Sequence, residues 1–317
     1  MENPIVAWFN ELPANATPIA GGKGASLGDM LRAGLPVPPG FVVCTRAFEL
    51  FLAVNDGQSA IRRAVENLDV DNEADLMRAS DVIQRFIEAT SLPMTVVSAM
   101  RAAYTQLGYN APVAVRSSAV SEDSEGASFA GQQETFLNLR GIESVFQHVK
   151  ACWASFFSPR AMFYRAQKGS LEDVGMAVVV QRMVNADKAG VAFTVDPVRQ
   201  RHDQMMIEAV YGLGELIVSG LITPDNYLID RDSGELLQEY VPVQEIALVC
   251  NEEGSGTRQV ELPEAMGSER VLSTVEITRL REISLQLERL FGKPQDVEWA
   301  IEGEKLMLLQ SRPITTL

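Results

Sequence analysis

The chain has 317 residues, with 27 Lys and Arg against 42 Asp and Glu, giving a formal charge of −15. Hydrophobic residues make up 46% and charged residues 22%, a globular composition that excludes a disordered chain. The acidic balance argues against nucleic acid or an anionic membrane as the main partner. Cys44, Cys152 and Cys250 are odd in number and far apart, which fits reduced thiols rather than a disulfide framework or a zinc site. The chain opens without a basic-then-apolar leader, and no uncharged apolar run reaches the roughly 18 residues that a membrane span needs. The expected localisation is cytoplasmic.

After a short apolar start (Ile5, Val6, Trp8, Phe9) comes GGKGASLGDM from Gly21, a glycine pair and Lys23 leading into a helix that runs to about Ala33. The spacing is not that of a Walker A loop. Two readings fit: a tight turn offering a cation and amides to an anion, or a surface turn with a solvated lysine. Leu35 to Gly40 breaks the helix, and Phe41-Val42-Val43 reads as a strand. From Thr45 to Gly108 the apolar residues (Phe48, Leu52, Ile61, Val65, Val82, Ile83, Phe86, Ile87) fall at helical spacings, with Pro93 at a helix start and Gly108 at an end. This region carries no recognisable chemistry and reads as support.

Residues 111–141, APVAVRSSAVSEDSEGASFAGQQETFLNLRG, are the centre of the reading. Val113-Ala114-Val115 is expected to be a buried strand ending at Arg116-Ser117-Ser118. An acidic, small-residue loop follows through Gly131, and Thr135 opens the next apolar segment. A cation, hydroxyls and a loop whose backbone can approach closely are the parts that hold a polyphosphate. An ordinary surface loop with a salt bridge at Arg116 fits the same residues.

Residues 142–168 read as two helices broken at Ser158-Pro159, with His148 structural among Val145, Phe146, Val149 and Trp153. Gly175 to Gln181 is a continuous apolar run, hence a strand buried on both faces. The segment Gln181 to Val184 then reads as a hinge between two lobes, able to offer apolar faces and backbone groups to a purine, or as plain sheet core. A second strand follows at 190–194. His202 lies in a polar turn and reads as solvated. Residues 205–220 read as a strand, a glycine turn and a new apolar segment from Glu215, with strands near 227–229 and 236–241. Residues 251–270 lack periodicity and are expected to form a loop.

Ser273 with Glu276 forms a capping box for an amphipathic helix (Ile277, Leu280, Ile283, Leu287, Leu290) closed by Gly292. Residues 295–301 and 305–310 read as a hairpin about Gly303-Glu304. Period-two geometry puts Asp296 and Glu298 on one face, with Gln310 and Arg312 across the hairpin and Trp299 and Ile301 facing core. Carboxylate and amide oxygens with an arginine beyond them suit Mg²⁺ on a nucleotide's phosphates. An exposed hairpin with surface charges is the other reading.

With these clusters in view, the sequence resembles the ATP-binding domain of the phosphoenolpyruvate synthase, pyruvate phosphate dikinase and rifampicin phosphotransferase family. The resemblance rests on GGKGASLGDM, VPPGF, AVRSSAVSEDSEGASFAGQQETFLNLRG, VVVQRMV, GLGELIVSG with TPDNY, and QDVEWAIEGEKLMLLQSRP, in family order from residue 21 to 313. It implies an α+β, ATP-grasp-like fold with mixed or antiparallel sheets and a helical N-terminal part. The lobes would be residues 1–182 and 183–317, with nucleotide in the cleft between them. Carried over residue by residue, Lys23 and Arg116 would bind phosphates, and Gly131 and Thr135 would belong to the loop over them. Gln181, Met183 and Val184 would face adenine. Glu298 and Gln310 would hold Mg²⁺ with Asp296 nearby, and Arg312 would neutralise charge on the transferring group.

The implied cofactors are ATP and Mg²⁺, and the implied partner is a swivelling phosphohistidine domain, since neither His148 nor His202 sits in a carrier-like motif. The expected function is that of the ATP-binding domain of a phosphoenolpyruvate synthase-like enzyme, which phosphorylates that histidine en route to pyruvate. The alternatives are the corresponding domain of a rifampicin phosphotransferase and a stand-alone, non-catalytic nucleotide-binding module.

Overall fold

The strand beginning at Val113 does not stop at Arg116. In the computed structural model, which describes residues 3–120, 134–167 and 175–315, the strand continues through Ser117 and Ser118 to Ala119, buried along its whole length. Polar side chains stay in a central strand when neighbouring strands and a helix satisfy them, and sequence alone does not show those neighbours. The chain divides into two compact units, residues 1–28 with 39–183 and residues 29–38 with 184–317.

The first unit contains β1 (Val6–Trp8), a 3₁₀ turn (Phe9–Glu11), most of α1 (Thr17–Arg32), β2 (Gly40–Val43), α2 (Thr45–Val54), α3 (Gly57–Val65), α4 (Glu73–Ala89), α5 (Met94–Leu107), β3 (Val113–Ala119), β4 (Thr135–Leu139), α6 (Ile142–Ser155), α7 (Pro159–Gln167) and β5 (Met176–Arg182). Its five strands are antiparallel in the order β1-β2-β5-β3-β4. Phe41, Val43, Val113, Val115, Val178 and Val180 turn one face toward a core filled by α2 and α4 to α7, where Trp153 stacks on Phe48 at 4.9 Å between centroids. Burying side chains of this size contributes about 1.5–3 kcal/mol each. His148 is part of this support, its Nδ1 2.7 Å from the Ser144 carbonyl and its ring edge-on to Phe136.

Helix α1 begins earlier than expected. The glycine pair lies inside it, at a kink where Gly21 adopts a left-handed φ of 68°. A Cβ there would stand 2.1 Å from the Ser118 carbonyl oxygen, so only glycine fits.

The second unit contains β6 (Lys188–Phe193), β7 (Gln204–Tyr211), α8 (Glu215–Val218), β8 (Asp225–Asp230), β9 (Leu236–Tyr240), β10 (Ile246–Cys250), β11 (Thr257–Glu261), α9 (Glu264–Gly267), α10 (Thr274–Phe291), β12 (Gln295–Glu302) and β13 (Lys305–Pro313). Six strands pair antiparallel in the order β13-β12-β6-β7-β8-β9. Residues 29–38 belong here, with the Leu308 N–H donating to the Pro36 carbonyl at 2.8 Å. Helix α10 carries the reciprocal Ser273–Glu276 capping box and ends on Gly292 at φ 69°. It packs on β6 and β12 over Val297 and Trp299, and Lys188 reaches Glu276 at 2.9 Å on that side.

The loop expected at 251–270 is instead half of a two-stranded ribbon, β10 with β11, followed by the short α9. Most of β11 is polar and accessible, so no apolar alternation marks it as a strand. His202 is exposed, in the turn between β6 and β7.

Candidate functional site

In the first unit, alternation along β3 sends Ala114, Arg116 and Ser118 to the face where α1 lies, away from the core around Trp153. The Ser118 hydroxyl donates to the Ala20 carbonyl at 2.8 Å and accepts from the Gly24 N–H at 3.1 Å, tying the α1 kink to the strand. That tie places Lys23, 6% exposed, so that its Nζ donates to the Ser117 carbonyl at 3.0 Å, one peptide from Arg116.

Arg116 stands opposite Thr135 on β4 and Val179 on β5, and two residues along on the same face Gln181 stands opposite Ala114. Lys23, Arg116, Thr135 and Gln181 therefore gather on one sheet face of this unit. Gly131 lies outside the described residues. The Arg182 and Met183 N–H groups donate to the Pro39 and Pro112 carbonyls, so neither of those donors is on offer to a ligand. Val184 is buried in the second unit.

In the second unit, Glu298 on β12 is paired with Gln310 on β13, and Asp296 with Arg312. A register shift follows immediately, so Trp299 faces Leu308 and Leu309 is the extra residue. Arg312 closes on Asp296 with Nε 2.8 Å from Oδ2, the Asp296 side chain being only 12% exposed and that of Arg312 50%. Burial pushes the Asp296 carboxyl above its usual range, the Arg312 guanidinium pulls it back, and the neighbouring Glu298 charge adds to the rise. Burial is the larger effect, and the net shift is upward.

The same face extends further than the hairpin. Successive pairings align Asn226 (β8), Glu208 (β7), Val191 (β6), Glu298 (β12) and Gln310 (β13) in one row across the sheet. Glu208 is half-buried and accepts a hydrogen bond from Asn226. Burial raises its carboxyl above the usual range, Asn226 opposes the rise and the Asp296 charge reinforces it. Asn226 lies in the TPDNY motif, but neither it nor Glu208 is marked as a site residue by the sequence alone. The available signal was a single carboxylate inside the apolar run 205–211, which local periodicity has no way to connect with a hairpin 90 residues later.

Among the described residues no three His, Cys, Asp or Glu side chains converge as a ready metal cage. The oxygens of Glu298 and Gln310, with Asp296 beside them, are nonetheless hard donors of the kind Mg²⁺ accepts. That ion is commonly held by one or two carboxylates, with phosphates and water completing the shell. The donor chemistry fits the ion on those terms.

Antiparallel α/β units of this kind, one with cations gathered on a sheet face and one with a carboxylate–amide pair, have the parts of a protein that handles a metal-bound polyanion. The family described as "Pyruvate phosphate dikinase, AMP/ATP-binding domain" matches residues 17–317, and the chain belongs to it. Among curated relatives, it is 45% identical over 99% of its length to a probable phosphoenolpyruvate synthase of Methanocaldococcus jannaschii, covering 27% of that protein. It is 47% identical over 98% of its length to a probable phosphoenolpyruvate synthase of Archaeoglobus fulgidus, covering 42%. A rifampicin phosphotransferase of Bacillus cereus is 36% identical over 98% of the chain, which covers 36% of that protein. The chain thus spans less than half the length of each of these three relatives.

Proposed function

We propose that this chain is the ATP-binding domain of a phosphoenolpyruvate synthase-like phosphotransferase, with an ATP-grasp-like fold that binds Mg-ATP. Lys23 and Arg116 bind phosphates, with Gly131 and Thr135 in the loop over them, and Gln181, Met183 and Val184 face adenine. Glu298 and Gln310 hold Mg²⁺ with Asp296 nearby. The metal, when bound, supplies charge neutralisation on the phosphates, and Arg312 supplies the protein's share at the group being transferred. The acceptor is a histidine on a swivelling phosphohistidine domain, which passes the phosphoryl group toward pyruvate, in the cytoplasm.

The observation that carries this reading is the cross-strand pairing of Glu298 with Gln310 beside the Asp296–Arg312 ion pair, in a chain whose family is an AMP/ATP-binding domain. The relatives' greater length supports a partner domain outside these residues. No helix of the described residues is long and apolar enough to cross a membrane. The similarity to a rifampicin phosphotransferase keeps a second acceptor, an antibiotic hydroxyl, as the competing reading. Calorimetric titration of Mg-ATP, Mg-AMP and Mg-GTP into the chain tests nucleotide binding and base choice together, and saturable Mg-ATP binding is expected. Absence of binding at millimolar nucleotide would refute the proposal.

A further inference from the structure

The hairpin turn does not by itself place Gln310 and Arg312 on the face that carries Asp296 and Glu298. From Glu302–Lys305 the pairing runs regularly through Ile301–Leu306 and Ala300–Met307 to Trp299–Leu308. Continued without a break, it would bring Gln310 against Val297 and Arg312 against Gln295, and both side chains would turn to the buried face of Val297 and Trp299. The extra residue, Leu309, returns them to the Asp296 face. A turn fixes register only as far as the first bulge, so the position of this bulge needs a determinant of its own.

Such a determinant lies on the buried side of the two strands. Gln295 and Thr194 are fully buried, and Ser311 is 5% exposed. The Ser311 hydroxyl donates to Gln295 Oε1 at 2.7 Å, diagonally across β12 and β13, since Gln295 is paired with Pro313 and Ser311 with Val297. The Gln295 backbone is held from the opposite side, just past the end of β6. Its N–H donates to Thr194 Oγ1 at 2.8 Å, and its carbonyl accepts from the Thr194 N–H at 2.9 Å. Its Nε2 donates to the Lys293 carbonyl at 2.9 Å, which leaves Oε1 turned to Ser311. The end of β6 thus anchors Gln295, and Gln295 selects the residue of β13 that meets it. An apolar pair at these positions would accept neighbouring registers almost equally, whereas a buried amide oxygen penalises any register that takes the hydroxyl away.

Resting on the Mg-ATP reading above, we propose that Gln295 and Ser311 are positioning residues of the nucleotide site: their buried hydrogen bond holds the bulge at Leu309 and so keeps Gln310 opposite Glu298 and Arg312 opposite Asp296. Neither residue touches nucleotide or metal in this scheme.

The test measures calorimetric Mg-ATP affinity and ligand-free melting temperature in the chain. Gln295→Met/Ser311→Ala removes both partners of the bond at nearly constant volume. Its melting temperature is expected to stay close to wild type while Mg-ATP affinity falls about tenfold or more. Ser311→Thr, which keeps the hydroxyl, is expected to bind within about threefold of wild type. Gln310→Ala is expected to weaken binding in the wild-type background and to add little in the double variant, where Gln310 has already left its place. Wild-type affinity in the double variant overturns the inference. So does an undiminished Gln310→Ala effect in that background, or Ser311→Thr binding no better than the double variant. If the double variant does not melt cooperatively, Ser311→Ala replaces it in the same cycle with Gln310→Ala. A wild-type chain that binds no Mg-ATP refutes the functional reading, and the inference falls with it. A wild type that binds beside an unaffected double variant leaves the functional reading standing.

Discussion

Ser117 and Ser118 are adjacent in β3 and live in opposite surroundings. The Ser118 hydroxyl bridges the Ala20 carbonyl and the Gly24 N–H of α1. The Ser117 hydroxyl is buried on the core side, opposite Val178, with no hydrogen-bond partner among the described residues. Strand alternation alone separates them.

Removing each hydroxyl should therefore act in opposite directions. Ser117→Ala deletes an unpaired buried polar group and is expected to be neutral or to stabilise by up to about 1 kcal/mol. Ser118→Ala breaks two bonds, leaves the Gly24 N–H without its acceptor, and should cost about 1–3 kcal/mol. Urea unfolding of both variants measures the difference. A Ser117→Ala variant as damaged as Ser118→Ala would contradict the assignment of faces.

The kink that Ser118 secures depends on Gly21. In Gly21→Ala the new methyl would meet the Ser118 carbonyl at 2.1 Å, at a backbone φ of 68° that alanine resists. The expected cost is about 2 kcal/mol or more, and since Lys23 follows two residues later, ATP affinity should fall too. Melting temperature and calorimetric affinity report the two effects separately.

Glu276 links a helix cap to a strand. It accepts from the Ser273 N–H and hydroxyl and from Lys188 at 2.9 Å. Burial alone would raise its carboxyl, but the bonds from Lys188 and Ser273 outweigh it, and the net shift is below the ordinary value of 4.5. With the folded value depressed, the stabilisation is present above about pH 4.5 and disappears as pH falls through the folded value. Glu276→Gln, which preserves the capping geometry, should cost about 1 kcal/mol at pH 7. Its unfolding curve should merge with that of wild type once pH falls below the depressed folded value, and a gap that does not narrow as pH falls below 4.5 would show the effect is not electrostatic.

Arg312 is half-exposed, and its ionic partner Asp296 already has its carboxyl pushed toward the neutral form by burial. Arg312→Ala should therefore leave the fold intact, because Asp296 can take up a proton in place of its lost partner. If Arg312 neutralises the transferring group, transfer to a carrier histidine should fall at least about a hundredfold. Rapid-quench assays with the histidine domain give the rate, and near-normal transfer would remove Arg312 from the proposed mechanism.

Local chemistry was readable wherever the stabilising partner is near in sequence. The Ser273–Glu276 box, the Gly292 stop and the turn at Gly303 all work within a few residues, and α10 and the β12–β13 hairpin follow from them. The helices between residues 45 and 107 were visible for the same reason, through their 3.6-residue spacing. The strand character of Arg116 to Ala119 was not, because it depends on β5 and on α1, whose contacts with Ser118 come from more than 90 residues away. Ribbon strand β11, mostly polar and accessible, carries no periodic signal at all.

For the candidate site the division is similar. Sequence by itself determined which hairpin residues share a face within each strand, because alternation along β12 sets Asp296 with Glu298 and alternation along β13 sets Gln310 with Arg312. Only the tertiary structure decided that Lys23 lies one peptide from Arg116, and that Glu208 and Asn226 continue the row begun by Glu298. Those relations are set by strand register and by a helix kink. Register is chosen by the burial of whole faces against partners remote in the chain, which no window of neighbouring residues contains.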